Sequence, residues 1–222
     1  MQGKRAERVE ESFQKLAPFI QQHSLMVGRY ADTLAHYILQ TQGEGFFHGL
    51  PTELFLYMNL MGKYHDVGKS AIAEEIWQHA GPLGQPEWKL VRAHPLFGAY
   101  LIRGSLLAPE WECSQPDIWE AIAQCCQYHH ERWDGGGYPF GLVGRKIPLP
   151  ARMVGIADAY DAMTADRPYR RRMDGAAALE EIPRGAGRQF DPELVELFCR
   201  ALEERPAGTR LSPATPHHNG TE

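Results

Sequence analysis

The stretch His129-His130-Glu131-Arg132-Trp133-Asp134-Gly135-Gly136-Gly137-Tyr138-Pro139 decides how the rest of the chain is read. Two adjacent histidines close a helix-like run, and three glycines then make a tight loop with exposed backbone, ended by Tyr-Pro. Upstream stands His65-Asp66-Val67-Gly68-Lys69, and downstream Ala157-Asp158-Ala159-Tyr160-Asp161. Imidazoles and carboxylates in three such groups point to a site for more than one metal ion. The remaining residues then serve as the scaffold that joins them.

Around these groups, apolar residues recur at helical spacing. Residues 1–17 are charged and helix-prone up to Pro18. Ile20, Val27, Ala31, Leu34 and Ile38 form one stripe between Phe19 and Gln42 that also carries His23, and Gly43 and Gly45 end it. A second helix is expected after Pro51, with Leu54, Met58 and Met61 on one face, His65 one turn further on, and Gly68 as its breaker. From Glu87, the residues Leu90, Phe97 and Leu101 share a stripe with His94, and Pro95 either kinks this helix or begins a new one. Residues 109–116 read as a connecting loop. Ile118, Ile122 and Cys125 then lead along a helix to His129.

Pro148 and Pro150 start the next helix, on which Ala151 and Val154 lead to Asp158 and Asp161; it stops near Asp166 and Pro168. Helices at 174–181 and 192–204 follow, and residues 205–222 have the composition of a disordered tail. Neither strand alternation nor a repeat is legible. The expected fold is all-α: one helical bundle over residues 1–204, with the metal site in its core.

A formal charge of −5 argues against a broad face for a nucleic-acid polymer, although local basic clusters such as Asp166–Arg172 still suit phosphates. Four cysteines (Cys113, Cys125, Cys126, Cys199) lack both a metal-binding CxxC spacing and a disulfide framework, so reduced thiols are expected. No signal segment or bilayer-length apolar run is present, which leads to the expectation of a soluble, cytoplasmic protein without membrane contact.

His23, His65, His94, His129 and Asp158 each stand on an otherwise apolar helical stripe. One inward histidine is ordinarily a hydrogen-bonded core residue. Five such groups in one core would be costly to bury without partners, and convergence on cations removes that cost in one step. Asp66 and His130 add the ligands that a second ion needs. Nitrogen and carboxylate donors without thiolates suit Fe, Mn, Zn, Co or Ni. Two ions bridged by a carboxylate and a water are a recurring device for phosphoester hydrolysis. Lys69, Arg167 and Arg170 supply positive charge nearby, and arginine suits bidentate phosphate binding.

HDVGK at 65–69, HP followed by Gly98, HHExxDGxGYP from His129, and ADxYDAMTxxRPYR from Ala157 occur in that order. The series resembles the HD-GYP family of the HD phosphohydrolase superfamily, from about His23 to Phe190-Asp191-Pro192. The resemblance implies a helical phosphodiesterase fold and a metal-dependent site that hydrolyses cyclic di-GMP to pGpG, and leaves open whether pGpG is cleaved on to GMP. By position, His23, His65, Asp66, His94, His129, His130 and Asp158 match the metal ligands, with Asp66 as the bridging carboxylate.

His65, Asp66 and Lys69 form the catalytic group so implied. Lys69, Arg167, Arg170 and Tyr138 match residues that hold substrate. The loop Gly135–Pro139 matches the signature element, used near substrate and in contacts with diguanylate cyclase (GGDEF) domains; a homodimer is a further expected partner state. Phe19 stands where three-metal relatives carry a glutamate, so two divalent ions are expected, Fe or Mn first. Met26 stands where the family often has arginine. Glu131 and Asp161 are expected to orient histidines and the loop, and Trp133, Tyr160, Cys125 and Cys126 to pack. Two other readings stand beside this one: a phosphodiesterase for 3′,3′-cyclic GMP-AMP, and an adaptor that binds cyclic di-GMP without hydrolysing it.

Overall fold

The computed structural model describes residues 2–47, 50–78, 81, 83–104, 118–166 and 172–204. Among them, ten α-helices and five 3-10 turns carry the chain, and no strand forms. The all-α expectation is therefore met. The expected loop at 109–116, the stop at Pro168 and the tail at 205–222 lie outside the described residues, as do Cys113, Arg167 and Arg170.

Helix α1 (Gln2–Gln14) buries Val9 and Phe13. α2 (Pro18–Thr41) opens on a proline, whose fixed φ suits a first helical position. It buries Ile20, Val27, Ala31, Leu34 and Ile38 as the periodicity requires. The N–H groups of Gln42 and Gly43 both return to the Ile38 carbonyl, and Gly43 takes φ +71° to close the helix.

The helix expected after Pro51 is a 3-10 turn over Thr52–Tyr57 that continues as α3 (Met58–Tyr64). Three residues per turn aligns Phe55 with Met58 and Met61, so Phe55 is fully buried and Leu54 only partly. α3 stops at Tyr64, and a second 3-10 turn, Val67–Ala71, follows Asp66. Gly68 lies inside that turn and does not break α3. Its role is close approach: a Cβ there would fall on the His94 carbonyl and lie 2.9 Å from the Gly98 Cα. The missing side chain lets the turn dock and brings Asp66 beside His94.

α4 (Glu74–Gln78), α5 (Gln85–Val91) and α6 (His94–Arg103) come next. Pro95 begins a new helix, so the stripe extrapolated from Leu90 does not run through. Leu90 is 46% exposed, and α6 instead buries His94, Gly98, Ala99 and Ile102. α7 (Ile118–Tyr128), α8 (Leu149–Thr164), α9 (Gly175–Glu181) and α10 (Pro192–Glu203) complete the series. Asp174 and Asp191 cap α9 and α10 by accepting the N–H groups of Ala176 and Glu193.

α2 packs against α3 and α8, α10 lies on α2, and α7 joins α6 to α8. One hydrophobic cluster extends from Val9 to Phe198. Cys125 and Cys126 are buried within it as free thiols, as expected. Among the described residues no helix is long and apolar enough to cross a membrane. Because the Gly68 contact is backbone against backbone, Gly68→Ala should cost about 1–3 kcal/mol of stability, measured by urea unfolding.

Candidate metal centre

The stripes that carry histidine and aspartate end in one place. His23 comes from α2, His65 and Asp66 from just past α3, His94 from the first position of α6, His129 and His130 from just past α7, and Asp158 from within α8. Asp66, His94, His129 and His130 each offer a donor atom within 4.8 Å of the others. So do His23, His65 and Asp66, and likewise His65, His129 and Asp158. All seven residues expected as ligands are thus brought together.

The hydrogen bonds show what this cluster is built for. Nδ1 of His65 lies 2.7 Å from the Gly62 carbonyl, Nδ1 of His94 lies 2.6 Å from the Val91 carbonyl, and Nδ1 of His129 lies 2.9 Å from that of Cys126. Each Nδ1 is thereby committed outward, which turns Nε2 inward. These Nε2 atoms face one another and the Asp66 carboxylate. His94 Nε2 is 3.4 Å from His129 Nε2 and 3.1 Å from Asp66 Oδ1, while His65 Nε2 is 3.3 Å from Asp66 Oδ2. His65 Nε2 and Asp66 Oδ1 are buried without a hydrogen-bond partner. Orphaned acceptors at such distances are costly unless a cation lies among them, so the donor set fits divalent metal.

Charge follows the same plan. Burial opposes ionisation of Asp66, but the neighbouring His65 and Lys69 hold its carboxyl well below the usual range. Asp158, also opposed by burial, is held far down by His23 and the histidines beyond it. Burial, then neighbouring histidines, depress His129, and burial takes His130 to about 3, so both rings are neutral. His23 differs from the rest: its Nδ1 lies 2.6 Å from Asp161 and its Nε2 3.0 Å from Asp158. Asp161 is therefore an orienting carboxylate, in the place the sequence reading gave it.

The glycine loop closes one side. Glu131 accepts the N–H groups of Phe140 and Leu142 at 2.7 and 2.9 Å, which ties the loop back to its own start. A Cβ on Gly137 would lie 2.5 Å from the Glu131 Cα and 2.6 Å from the His130 carbonyl oxygen, so only glycine fits. That approach seats the Tyr138 ring against His130, with centroids 4.7 Å apart and planes at 27°. Arg92 lies 4.7 Å over the Tyr138 ring. Lys69 pairs with Asp66 and stands 5.1 Å over the Trp77 ring.

A cleft of about 800 Å³ leads away from His129, His130 and Asp158 past Trp133 to the turn before α10. Tyr160 packs edge-on to Tyr30 and Phe198, as expected, whereas Trp133 lines the cleft. Arg92, Arg152 and Arg188 were missed by the sequence reading. Arg92 stands two residues before His94, which was its one available signal. Arg152 pairs with Asp191 of the Phe-Asp-Pro segment beneath Trp133, a pairing across the sequence that no spacing announces.

An all-helical bundle with buried, inward-facing imidazoles and carboxylates defines the class: a helical protein with a divalent-metal site. The HD domain family profile matches residues 20–194, and the chain belongs to that family, in the HD-GYP type its motifs resemble. It is 38% identical over 159 residues to the cyclic di-GMP phosphodiesterase PA4108 of Pseudomonas aeruginosa, covering 72% of this chain and 36% of that one. It is 31% identical over 182 residues to the 3′3′-cGAMP-specific phosphodiesterase 2 of Vibrio cholerae, covering 82% and 31%. The solved structure of Bd1817, a HDG"Y"P protein from Bdellovibrio bacteriovorus, has the same fold, with a TM-score of 0.56 at 18% identity over 83% of this chain and 52% of that one. The chain spans roughly a third to a half of the length of the curated relatives it matches.

Two outcomes follow from the geometry. Asp161→Asn removes the carboxylate behind His23 and should weaken metal affinity about 10–100-fold, measured by competition with a chromophoric chelator. In the metal-free protein burial opposes a charge on His23, but Asp158 and Asp161 raise it from 6.5 to about 9. The proton stabilises the fold fully below pH 6.5, and this contribution is lost as pH rises through about 9. A cation bound through Nε2 displaces that proton, so affinity should climb roughly tenfold per pH unit and level off near pH 9. A flat profile from pH 6.5 to 9 would remove His23 from the ligand set.

Proposed function

We propose that this chain is a phosphodiesterase that hydrolyses cyclic di-GMP to linear pGpG at a centre of two divalent cations. The observation that carries the reading is the carboxylate of Asp66. Its Oδ1 faces His94 and His129 at 3.1 and 3.7 Å, and its Oδ2 faces His65 and His23 at 3.3 and 3.9 Å. One carboxylate shared between two sets of lone pairs is the arrangement a bridged pair of ions needs. His94, His129 and His130 would hold one ion with Asp66, and His23, His65 and Asp158 would hold the other. Iron or manganese is the pair we assign. Such ions, when bound, supply an acidified water and neutralise phosphate charge.

The protein's own groups do the remaining work. Lys69, held at the rim by Asp66 and Trp77, places an ammonium where a phosphate oxygen arrives. Burial, with Asp66 and Asp158 nearby, pushes the Tyr138 phenol up, so it stays protonated and can donate a hydrogen bond to substrate. Arg167 and Arg170, which follow α8, are assigned to the phosphates by their motif. The relative from Pseudomonas aeruginosa supports cyclic di-GMP as substrate, and the one from Vibrio cholerae supports 3′,3′-cyclic GMP-AMP as the second reading. Phe140 and Val143, each 54% exposed on the glycine loop, support its use as a contact for diguanylate cyclase domains.

The test is turnover of both dinucleotides by protein purified without oxygen and loaded with Mn(II) or Fe(II), with products separated by chromatography. Cyclic di-GMP should yield pGpG, and His65→Ala and Asp66→Ala should each lose at least about a hundredfold in rate. Tight binding of cyclic di-GMP without hydrolysis by folded, metal-loaded protein would leave the adaptor reading standing instead.

A further inference from the structure

His65 and Asp66, assigned above to the metal centre, stand where α3 has ended and the Val67–Ala71 turn has not begun. The pair thus spans a joint between two elements. His65 N–H reaches back to the Gly62 carbonyl only at 3.4 Å, while the bond from Lys69 N–H to the Asp66 carbonyl, at 2.9 Å, belongs to the following turn.

Tyr64, the last residue of α3, anchors the near side of that joint. Its hydroxyl donates to Glu10 Oε2 of α1 at 2.6 Å. Its ring meets Phe13 of α1 edge-on, with centroids 5.8 Å apart, and its carbonyl accepts the Cys126 S–H at 3.0 Å. Both oxygens of Glu10 are engaged: Lys63 Nζ donates to Oε2 at 2.7 Å and Gln14 to Oε1 at 2.8 Å. The Lys63 ammonium also lies 4.7 Å from the Phe13 ring centroid and 4.9 Å from that of Tyr64. A carboxylate that accepts from a phenol and an ammonium makes charge-assisted bonds, which are stronger than neutral ones.

The same helix bears on the other side of the centre. α1 packs on the Val67–Ala71 turn and on α6, and Arg8 donates to the Leu101 carbonyl of α6 at 3.0 Å. A helix with no metal-binding residue of its own therefore touches every element that places His65, Asp66 and His94. We infer that Glu10 is a positioning residue for the metal centre: through the Tyr64 hydroxyl it fixes the joint that carries His65 and Asp66, so α1 sets metal affinity without supplying a donor atom. This rests on the metal-centre reading above and not on the choice of substrate. A contact that only stabilised the fold would move the unfolding midpoint and leave the affinity of the folded protein where it was.

The experiment starts from the full chain loaded with Co(II), withdraws the metal with a chromophoric chelator, and records the visible bands of the bound ion. Tyr64→Phe, which removes only the hydroxyl, and Glu10→Ala should each weaken affinity about tenfold and shift those bands. The double variant should be no weaker than either single one, and Glu10→Gln, which keeps an oxygen for the phenol, should recover most of the loss. Val9→Ala removes buried packing from α1 but leaves the Glu10 carboxylate in place; it should lower the urea midpoint and keep affinity within about twofold. Losses that add in the double variant overturn the inference, as does a loss in Val9→Ala equal to that in Glu10→Ala. If the unaltered chain holds Co(II) and Tyr64→Phe holds it equally well, the positioning role is wrong and the metal centre stands. If the unaltered chain holds no Co(II), the metal-centre reading falls and the positioning role falls with it.

Discussion

A buried carboxylate surrounded by nitrogen lone pairs is the constraint on which this fold depends. Asp66 is ionised, almost without solvent, and faced by His23, His65, His94 and His129, whose Nδ1 atoms are spent on backbone carbonyls or on Asp161. In isolation that is an expensive core, since His65 Nε2 and Asp66 Oδ1 lost their water on folding and gained no donor in return. Lys69 relieves one oxygen only. The rest of the cost is met when cations fill the centre, so metal binding and folding are linked in this chain. The helices, for their part, hold the acceptors close enough together that no other ligand chemistry suits them.

Much of this was legible in the sequence, for a physical reason. Helical periodicity projects a residue onto a face, and a histidine on an apolar face must point inward whatever the tertiary arrangement turns out to be. His23, His129 and Asp158 follow directly from their stripes on α2, α7 and α8. That Asp66 would be the shared carboxylate is an expectation of the resemblance alone, because nothing in the spacing says which carboxylate is shared. Extrapolating a stripe across a break failed: Leu90 belongs to α5, whose axis has no fixed phase relative to α6, and so it faces solvent. Contacts between distant backbones left no mark either. Gly28 and Gly62 face each other where α2 crosses α3, and a Cβ on Gly62 would lie 2.5 Å from the Gly28 Cα. That approach sets the distance from His23 to His65, yet each glycine alone reads as a weak point in a helix.

The glycine loop shows why a motif can be read without being understood. Its sequence marks flexibility, but its structure is pinned at both ends by Glu131, by the Tyr138 N–H to the His130 carbonyl, and by the turn before α10. Gly137 is there because two backbones touch, and the result is a tyrosine ring laid flat on a histidine of the metal cluster. Rigidity at this point holds His130 in the plane its lone pair requires. Burial and packing, not loop mobility, make the motif what it is.

The two halves of the centre are unequal. Around His94, His129 and His130 the donors are neutral imidazoles with one shared carboxylate. Around His23 and His65 there are two carboxylates, Asp66 and Asp158, and a third, Asp161, stands directly behind His23. A carboxylate behind a histidine raises its basicity, and carboxylates favour harder, more highly charged ions. A cation held around His23 and His65 would therefore be more strongly stabilised at high charge than one held around His94, His129 and His130. Lys69, paired with Asp66, brings positive charge to a centre whose own carboxylates would otherwise repel an anionic substrate.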